Sequence, residues 1–291
     1  MRRLGLSDML DAPPPRVGDG QRGGLAREGF GGRDAVRQAS ATHMPVLRRH
    51  DAELHFEEFG SGYPILLLAP GGLRSRIEMW HAAQDGAPRP WVDWSDELAS
   101  RYRVVAMDQR NAGRSRGSIS AKDGWHTYAA DHLALMDHLG CKRFHTLGGC
   151  IGSSYCLALC ERAPERISSA VLQNPIGLHP EFPGYFPESF ASWAKEQHLL
   201  RSDLEAAAVQ SFGHNMWNGG FVFSVSREFV RRCTVPCLVL PGNDIAHPAV
   251  IGRELAQLLP NAERLDAWKG PEHLDQQCQR VIDFLARHTP D

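Results

Sequence analysis

The sequence lacks the features that would mark several large classes of protein. It has no apolar run approaching the roughly 18 residues of a membrane-spanning helix. Its formal net charge is −2, so no excess of basic residues indicates nucleic acid or an anionic membrane as a partner. We therefore expect a small-molecule substrate, and neither nucleic acid nor a membrane as a partner.

The cysteines also lack the pattern of a disulfide framework or a metal site. There are seven, an odd number, and no secretory signal accompanies them, so we expect a reducing, cytoplasmic location. The pairs Cys156/Cys160 and Cys233/Cys237 do not have the spacing of a zinc knuckle. We predict that the protein uses no metal and no cofactor. The sequence leaves its oligomeric state open.

The chain divides by composition into three parts. Residues 1–43 are rich in Gly, Arg and Pro without apolar periodicity, which predicts a disordered leader that function does not need. Strands and helices alternate over residues 44–175 and 233–291, which indicates one α/β core with a mostly parallel sheet. Residues 176–232 exceed a simple crossover and are rich in aromatic rings, so we expect a small helical cap over the carboxyl ends of the strands. Most of these rings should form the cap's own core, and a few should face a pocket.

The central motif is Gly148-Gly149-Cys150-Ile151-Gly152, between an apolar strand and a helix of small residues. Gly148 and Gly152 stand two residues before and after Cys150, where a sharp strand-to-helix turn needs small side chains. The helix that follows points its amino-terminal end at Cys150, which favours a thiolate and a neighbouring oxyanion. By itself the motif is equally consistent with a buried, inert cysteine in a glycine turn.

Two further polar residues follow strands later in the chain. Asp244 comes after the strand ending at Leu240, and His273 comes after the strand around residues 263–268. The order nucleophile, acid, histidine is that of the α/β-hydrolases. Over residues 45–288 the chain resembles that superfamily. The likeness lies in the turn at Cys150 (the nucleophile elbow), the oxyanion loop Pro70-Gly71-Gly72, the acid loop Gly242-Asn243-Asp244 and the histidine loop Gly270-Pro271-Glu272-His273. It extends to the turn from Asp108 to Ser115, in which Asn111 replaces a glycine.

The resemblance implies an α/β-hydrolase fold: a mostly parallel eight-stranded sheet with helices on both faces and a small helical cap. Two departures stand out. Cys150 replaces the usual serine, as in dienelactone hydrolases and polyhydroxyalkanoate synthases, and Ala69-Pro70 replaces a His-Gly pair. The second departure leaves the first oxyanion donor open between Gly71 and Gly72, with Ile151 as the second donor.

The predicted roles follow from the chemistry of each group. His273 would take the proton from Cys150, and Asp244 would orient and stabilise the resulting imidazolium. His247 is the competing base, which we disfavour because it lies only three residues beyond Asp244. Glu272 and Asp266 are alternative acids. Ser153 and Ser154 are better explained as residues of the helix amino terminus than as nucleophiles.

These residues predict a cofactor-free hydrolase of an ester, thioester, lactone or related acyl substrate. Three alternatives stay open: carbon-carbon bond hydrolysis, acyl transfer, and a non-catalytic protein that binds a small molecule. Product analysis would separate the first two from hydrolysis of an acyl bond. Binding that Cys150→Ala leaves unchanged would favour the third.

Overall fold

The computed structural model describes residues 45–83 and 86–290. The predicted leader, residues 1–43, lies outside the described residues. Within them, every helix is too short or too polar to cross a membrane.

A nine-stranded sheet runs through the described part of the chain. Its strands are β1 (Val46–Arg48), β2 (Ala52–Phe59), β3 (Tyr63–Leu68), β4 (Tyr102–Met107), β5 (Arg116–Gly117), β6 (Phe144–Gly149), β7 (Ile167–Gln173), β8 (Cys237–Leu240) and β9 (Ala262–Arg264). The order across the sheet is β1-β2-β4-β3-β6-β7-β8-β9, with β5 beside β2. The pairs from β4 through β9 are parallel, whereas β2 is antiparallel to its neighbours. The α/β-hydrolase fold prediction is confirmed, with the two-residue β5 added to the eight predicted strands.

Helices cover both faces of this sheet. They are α1 (Trp94–Glu97), α2 (Trp125–His138), α3 (Ile151–Arg162), α4 (Tyr185–Leu200), α5 (Ala206–Trp217), α6 (Arg227–Arg232), α7 (Ala249–Leu258) and α8 (Leu274–Arg287). Short 3₁₀ turns lie at Gly72–Arg74, Ile77–Trp80, Leu98–Ser100, Pro164–Arg166 and Pro271–His273.

Two apolar cores result, one on each face of the sheet. Strand β3 shows the division, because Leu66 and Leu68 belong to one core while Ile65 and Leu67 belong to the other. This is the alternation of a strand buried on both sides. The central strands are therefore held rigidly, and their carboxyl ends provide a fixed frame for a site.

The segment between β7 and β8 contains α4, α5 and α6. Its rings pack on one another: Phe186 stacks on Trp217 with centroids 5.0 Å apart, and Trp193 lies 5.7 Å from Phe212. Arg74, just after β3, binds Glu196 of α4 through two nitrogens and so joins this segment to the sheet. The segment thus has its own aromatic packing and a polar link to the loop after β3.

One predicted strand is shorter than expected. The pattern of residues 263–268 indicates a strand along the whole run, but β9 ends at Arg264. Trp268 instead donates its indole N–H to the carbonyl of Pro241 at 2.8 Å. The chain therefore leaves the sheet early and is tied to the loop that carries Asp244.

Candidate active site

Cys150 occupies a sharp turn between β6 and α3. Its φ of 58° lies in the left-handed region that residues other than glycine seldom adopt. A Cβ on Gly148 would lie 2.1 Å from the carbonyl oxygen of Gly152, and a Cβ on Gly152 would lie 2.0 Å from that of Leu68. The predicted steric need for both glycines is confirmed. The strained backbone holds Cys150 at the carboxyl edge of the sheet, with its side chain partly exposed to a cavity.

Two backbone amides face the Cys150 sulfur. The backbone N–H groups of Gly71 and Ile151 lie close enough to the thiol to lower its pKa. Gly71 has a φ of 120°, and a Cβ there would lie 2.9 Å from Met79 Cε, so glycine brings the chain close. Gly72 also has a positive φ, of 59°, but has open space around it. Of the two glycines proposed as the first oxyanion donor, Gly71 is therefore the one placed against sulfur.

The neighbouring serines have structural partners. Ser153 Oγ donates to the carbonyl oxygens of Gly148 and Gln173, at 2.9 and 3.0 Å. Ser154 Oγ donates to the carbonyl of Val222 at 2.9 Å. Both residues lie in the first turn of α3, as expected. Their hydroxyls stabilise the elbow and its contact with the aromatic segment.

Asp244 and His247 meet within a single turn after β8. Asp244 Oδ1 accepts hydrogen bonds from the His247 backbone N–H at 3.0 Å and from Nδ1 of the ring at 2.5 Å. The two backbones also bond to each other in both directions, at 3.1 and 3.3 Å. Gly242 makes room for the turn, because a Cβ there would lie 2.3 Å from His247 Cβ. A spacing of three residues thus brings the acid and this histidine together.

The ring of His247 is also coupled to Cys150. Its Nδ1 is occupied by Asp244, and its Nε2 is buried without an aligned hydrogen bond to a described protein atom. His247 and Cys150 nevertheless interact closely enough to shift the pKa of both groups. Nε2 is therefore the nitrogen available to the thiol.

The pKa shifts of these three groups favour an ion pair. Burial opposes charge on each, but interactions outweigh it. The pKa of the Cys150 thiol is lowered, mainly by His247. The Cys150 thiolate and the Asp244 carboxylate raise the pKa of His247 to about 9. The His247 and Lys269 cations lower the pKa of Asp244 to about 2. The arrangement can hold a thiolate beside an imidazolium at neutral pH.

His273 lies elsewhere. It ends the 3₁₀ turn Pro271–His273, and its Nε2 is 3.5 Å from Glu272 Oε1. Its backbone N–H donates to the carbonyl of Gly270. The structure thus brings Cys150 and Asp244 together with His247 and not with His273. His247, the base that the sequence disfavoured, is therefore the histidine that contacts Asp244.

Lys269 occupies the loop where that expectation placed a histidine. Its Nζ donates to Asn243 Oδ1 at 3.0 Å and lies 3.5 Å from Asp244 Oδ2. Burial lowers the pKa of Lys269, although Asp244 and Cys150 oppose that shift. The two oxygens of Asp244 therefore have separate partners, His247 on Oδ1 and Lys269 on Oδ2. No pattern in the sequence singles out Lys269. Neither alternative acid replaces Asp244, since Asp266 pairs with Arg264 at 3.0 Å and Glu272 is adjacent to His273.

A cavity of about 270 Å³ opens onto Cys150 and His247. One wall comes from the core and includes Gly71, Met79 and Trp91. The opposite wall comes from the segment between β7 and β8, which contributes Tyr185, Phe186, Ser189, Phe190, Trp193 and Trp217. The rings that pack together in that segment therefore also enclose the Cys150 sulfur. Among the residues described, no group of three or more His, Cys, Asp or Glu side chains is arranged to hold a metal ion.

Comparison with known proteins agrees with the fold. Residues 64–232 match the family model described as alpha/beta hydrolase fold, which is more than half of the chain. RutD of Azorhizobium caulinodans is 31% identical over 131 residues, which cover 45% of this chain and 44% of that protein. The chain thus spans less than half the length of this relative. The 2-hydroxymuconate semialdehyde hydrolase of Pseudomonas putida is 25% identical over 262 residues, covering 78% of this chain and 88% of the relative.

A solved structure extends the likeness in fold. The enol-lactonase from Burkholderia xenovorans LB400 superposes with a TM-score of 0.57 at 22% identity, covering 83% of this chain and all of that chain (100%). At this identity the likeness concerns the fold alone. Together with the family match, the sheet order and the turn after β6, it shows that the chain belongs to the α/β-hydrolase fold family.

Proposed function

We propose that the protein is a cofactor-free hydrolase that cleaves an ester, thioester, lactone or related acyl bond through Cys150. The observation that carries the proposal is the chain of contacts from Asp244 through His247 to Cys150. The carboxylate holds one ring nitrogen at 2.5 Å, and the other nitrogen is left for the thiol. An inert structural cysteine needs neither partner. The buried Cys156 illustrates the contrast, because burial raises its pKa to about 12.

In the first half of the reaction the Cys150 thiolate attacks the acyl carbon. Its electron pair forms the carbon-sulfur bond while the carbonyl π electrons move to oxygen. The N–H groups of Gly71 and Ile151 are the donors for that oxyanion, and one such donor is typically worth about 3 kcal/mol in the transition state. Collapse breaks the bond to the leaving group, which takes the proton from Nε2 of the His247 imidazolium. A thioester acyl-enzyme remains.

In the second half, neutral His247 removes a proton from a water molecule, and the hydroxide formed attacks the thioester. The same two amides stabilise the second oxyanion. Collapse releases the carboxylic acid and returns the thiolate beside the imidazolium. Asp244 keeps the ring in the tautomer that these transfers need and stabilises its charge, without itself accepting a proton.

The proposal is tested by intact-protein mass spectrometry during brief exposure to activated esters, thioesters and lactones. We expect an acyl adduct that peptide mapping places on Cys150 and that does not form in Cys150→Ala. Cys156→Ala is the matched control, since it removes a buried thiol behind the elbow and should leave the adduct unchanged. Turnover that persists in Cys150→Ala would contradict the proposal.

Product analysis separates the remaining chemistries. Release of the free acid supports hydrolysis, whereas capture of the acyl group by an added alcohol or amine in preference to water would indicate acyl transfer. The Pseudomonas putida relative is a 2-hydroxymuconate semialdehyde hydrolase, so a carbon-carbon bond substrate of that kind belongs in the panel. Binding without any product would indicate a ligand-binding protein.

A further inference from the structure

Tyr185 begins α4 and lines the cavity together with Cys150 and His247. Its ring crosses that of Phe186 at 85° with centroids 5.1 Å apart, so the aromatic packing of this segment holds it in place. Within residues 45–83 and 86–290 its hydroxyl has no hydrogen-bond partner, and yet it is not enclosed. The Tyr155 hydroxyl differs, because it also lacks a partner but is fully enclosed in the core. The Tyr185 hydroxyl is therefore free to bind a molecule in the cavity.

The Tyr185 oxygen lies on the side of Cys150 where the His247 and Asp244 pair lies. Burial raises the pKa of Tyr185, and the charges of Cys150 and Asp244 raise it further. The charge of an ionised phenol sits on its oxygen, so this interaction requires that oxygen to be near both groups. The phenol stays protonated wherever the proposed ion pair exists, and it can therefore act as a hydrogen-bond donor but not as a base.

Helix α4 faces the cavity with two rows of side chains. One row bears the hydroxyls of Tyr185 and Ser189, which lie four residues apart on the same side of the helix. The other row consists of the rings of Phe186, Phe190 and Trp193. Ser189 is exposed, so the row of hydroxyls leads towards solvent. A leaving group that departs as an alcohol matches this row, and the apolar part of an acyl group matches the rings.

In the proposed mechanism the leaving group takes its proton from Nε2 of His247, which puts it on the same side of the sulfur as the Tyr185 hydroxyl. We infer that Tyr185 donates a hydrogen bond to the leaving-group oxygen as the tetrahedral intermediate collapses, and that the substrate is accordingly an oxygen ester or a lactone rather than a thioester. The carbon-oxygen bond breaks, and its electron pair stays on that oxygen. The oxygen receives the proton of His247, while Tyr185 keeps its own. The inference rests on the proposed function, since it concerns the same intermediate.

A purely structural role for Tyr185 would have a different kinetic signature. If the ring only completes the packing around the cavity, loss of the hydroxyl would change kcat/KM by the same factor for every leaving group, or not at all. A hydrogen bond to a developing negative charge matters most when the leaving group is basic, because its oxygen then carries most of the charge in the transition state. The dependence of the loss on the leaving group therefore separates the two roles.

The test compares kcat/KM of Tyr185→Phe and the wild-type protein for 4-nitrophenyl, phenyl, trifluoroethyl and ethyl butanoate. The acyl group is constant in this series, and the leaving groups become steadily more basic. The variant removes the hydroxyl and keeps the ring. We expect a loss of about 10- to 100-fold for the ethyl ester, as for a hydrogen bond to a charged group. The loss should shrink steadily towards the 4-nitrophenyl ester, whose turnover also shows that the variant is folded.

A thioester then tests the preference for oxygen. S-ethyl butanethioate and phenyl butanoate have leaving groups of similar basicity, but sulfur is a weak hydrogen-bond acceptor. Tyr185→Phe should therefore lower kcat/KM more for phenyl butanoate than for the thioester. Tyr155→Phe is the matched control, since it removes an enclosed hydroxyl, and its effect should be the same for all five substrates.

The same loss for all four oxygen esters, no loss for any of them, or the same loss for the phenyl ester and the thioester would overturn the inference. The proposed function fails separately. If turnover persists in Cys150→Ala and the graded loss remains, Tyr185 keeps its role and Cys150 does not. If Cys150 is acylated but the losses do not depend on the leaving group, only the role of Tyr185 is lost.

Discussion

Asp244 and His247 lie on one turn after β8, where the ring Nδ1 of His247 hydrogen-bonds to Asp244 Oδ1 at 2.5 Å. The acid and the base of the proposed triad therefore come from the same loop. The loop after β9, where the family resemblance predicts the histidine, instead contributes Lys269 to the second oxygen of Asp244. In the proposed triad His247 thus takes the role predicted for His273, while Cys150 and Asp244 keep the roles predicted for them.

With His247 as the base, alanine substitutions at His247 and at His273 should affect kcat/KM very differently. His247→Ala should lower kcat/KM by about 10²- to 10⁴-fold, because it removes the group that transfers protons to and from Cys150. His273→Ala should leave kcat/KM nearly unchanged, since its side chain lies against Glu272. Steady-state kinetics on the best ester of the panel measures both. The reverse ranking would restore His273 as the base.

The turn at Cys150 could be predicted from sequence because its need for small residues is local. At Gly148 and Gly152 a Cβ would clash with backbone atoms of the same turn and of the adjacent strand β3. Two glycines at this spacing are therefore enough to predict a tight turn. His247 could not be predicted in this way. Its meeting with Asp244 depends on a turn closed by backbone hydrogen bonds in both directions. The one sequence signal was Gly242, whose missing side chain leaves room for His247.

Substitution at a familiar motif was also hard to interpret from sequence. Asn111 stands where the resemblance predicts glycine in the turn after β4, and it adopts the left-handed φ of 61° that glycine would supply. Its side chain has a further use, because Oδ1 accepts from the backbone N–H of Gly117 and from Arg201, both at 2.9 Å. Arg201 follows α4, so this asparagine links the turn to the aromatic segment. No pattern in the sequence indicates such a contact between distant positions.

The ion pair predicts a bell-shaped dependence of kcat/KM on pH. Activity should rise as pH climbs through the lowered pKa of the Cys150 thiol, and fall as pH passes about 9, where His247 loses its proton. Alkylation of Cys150 by iodoacetamide, followed by peptide mass spectrometry, should show the rise without the fall, because it needs only the thiolate.

The Asp244→Asn variant checks the assignment of the alkaline limb. The carboxylate raises the pKa of His247, so its neutralisation should move the alkaline limb to lower pH. The opposite displacement, or an alkaline limb indifferent to the charge on residue 244, would be incompatible with His247 as the group that titrates there.

The charge of Lys269 should affect both the acidic and the alkaline limb of the pH profile of kcat/KM. It lies 3.5 Å from Asp244 Oδ2 and interacts electrostatically with Cys150. A nearby cation favours the Cys150 thiolate and disfavours the His247 imidazolium, so it lowers the pKa of both groups. Lys269→Met should therefore raise both pKa values and shift the whole pH profile of kcat/KM towards alkaline pH. Lys269→Arg keeps the charge and should restore most of the wild-type profile. A loss of activity at every pH without displacement of either limb would instead indicate a structural role.

The close packing around Gly152 predicts that Gly152→Ala lowers the free energy of unfolding much more than Gly140→Ala does. Gly152→Ala places a methyl group 2.0 Å from the carbonyl oxygen of Leu68, and neither the strand nor the helix can move without disturbing the sheet. We expect a loss of about 3 kcal/mol or more in the free energy of unfolding. Gly140→Ala is the control, since Gly140 has a positive φ of 71° but no neighbouring atom within 4 Å, and strain alone should cost about 1 to 2 kcal/mol. Urea denaturation followed by circular dichroism measures both. Equal losses would mean that the close contact of α3 with β3 costs no more than the backbone strain at Gly140, and that it does not by itself require glycine at position 152.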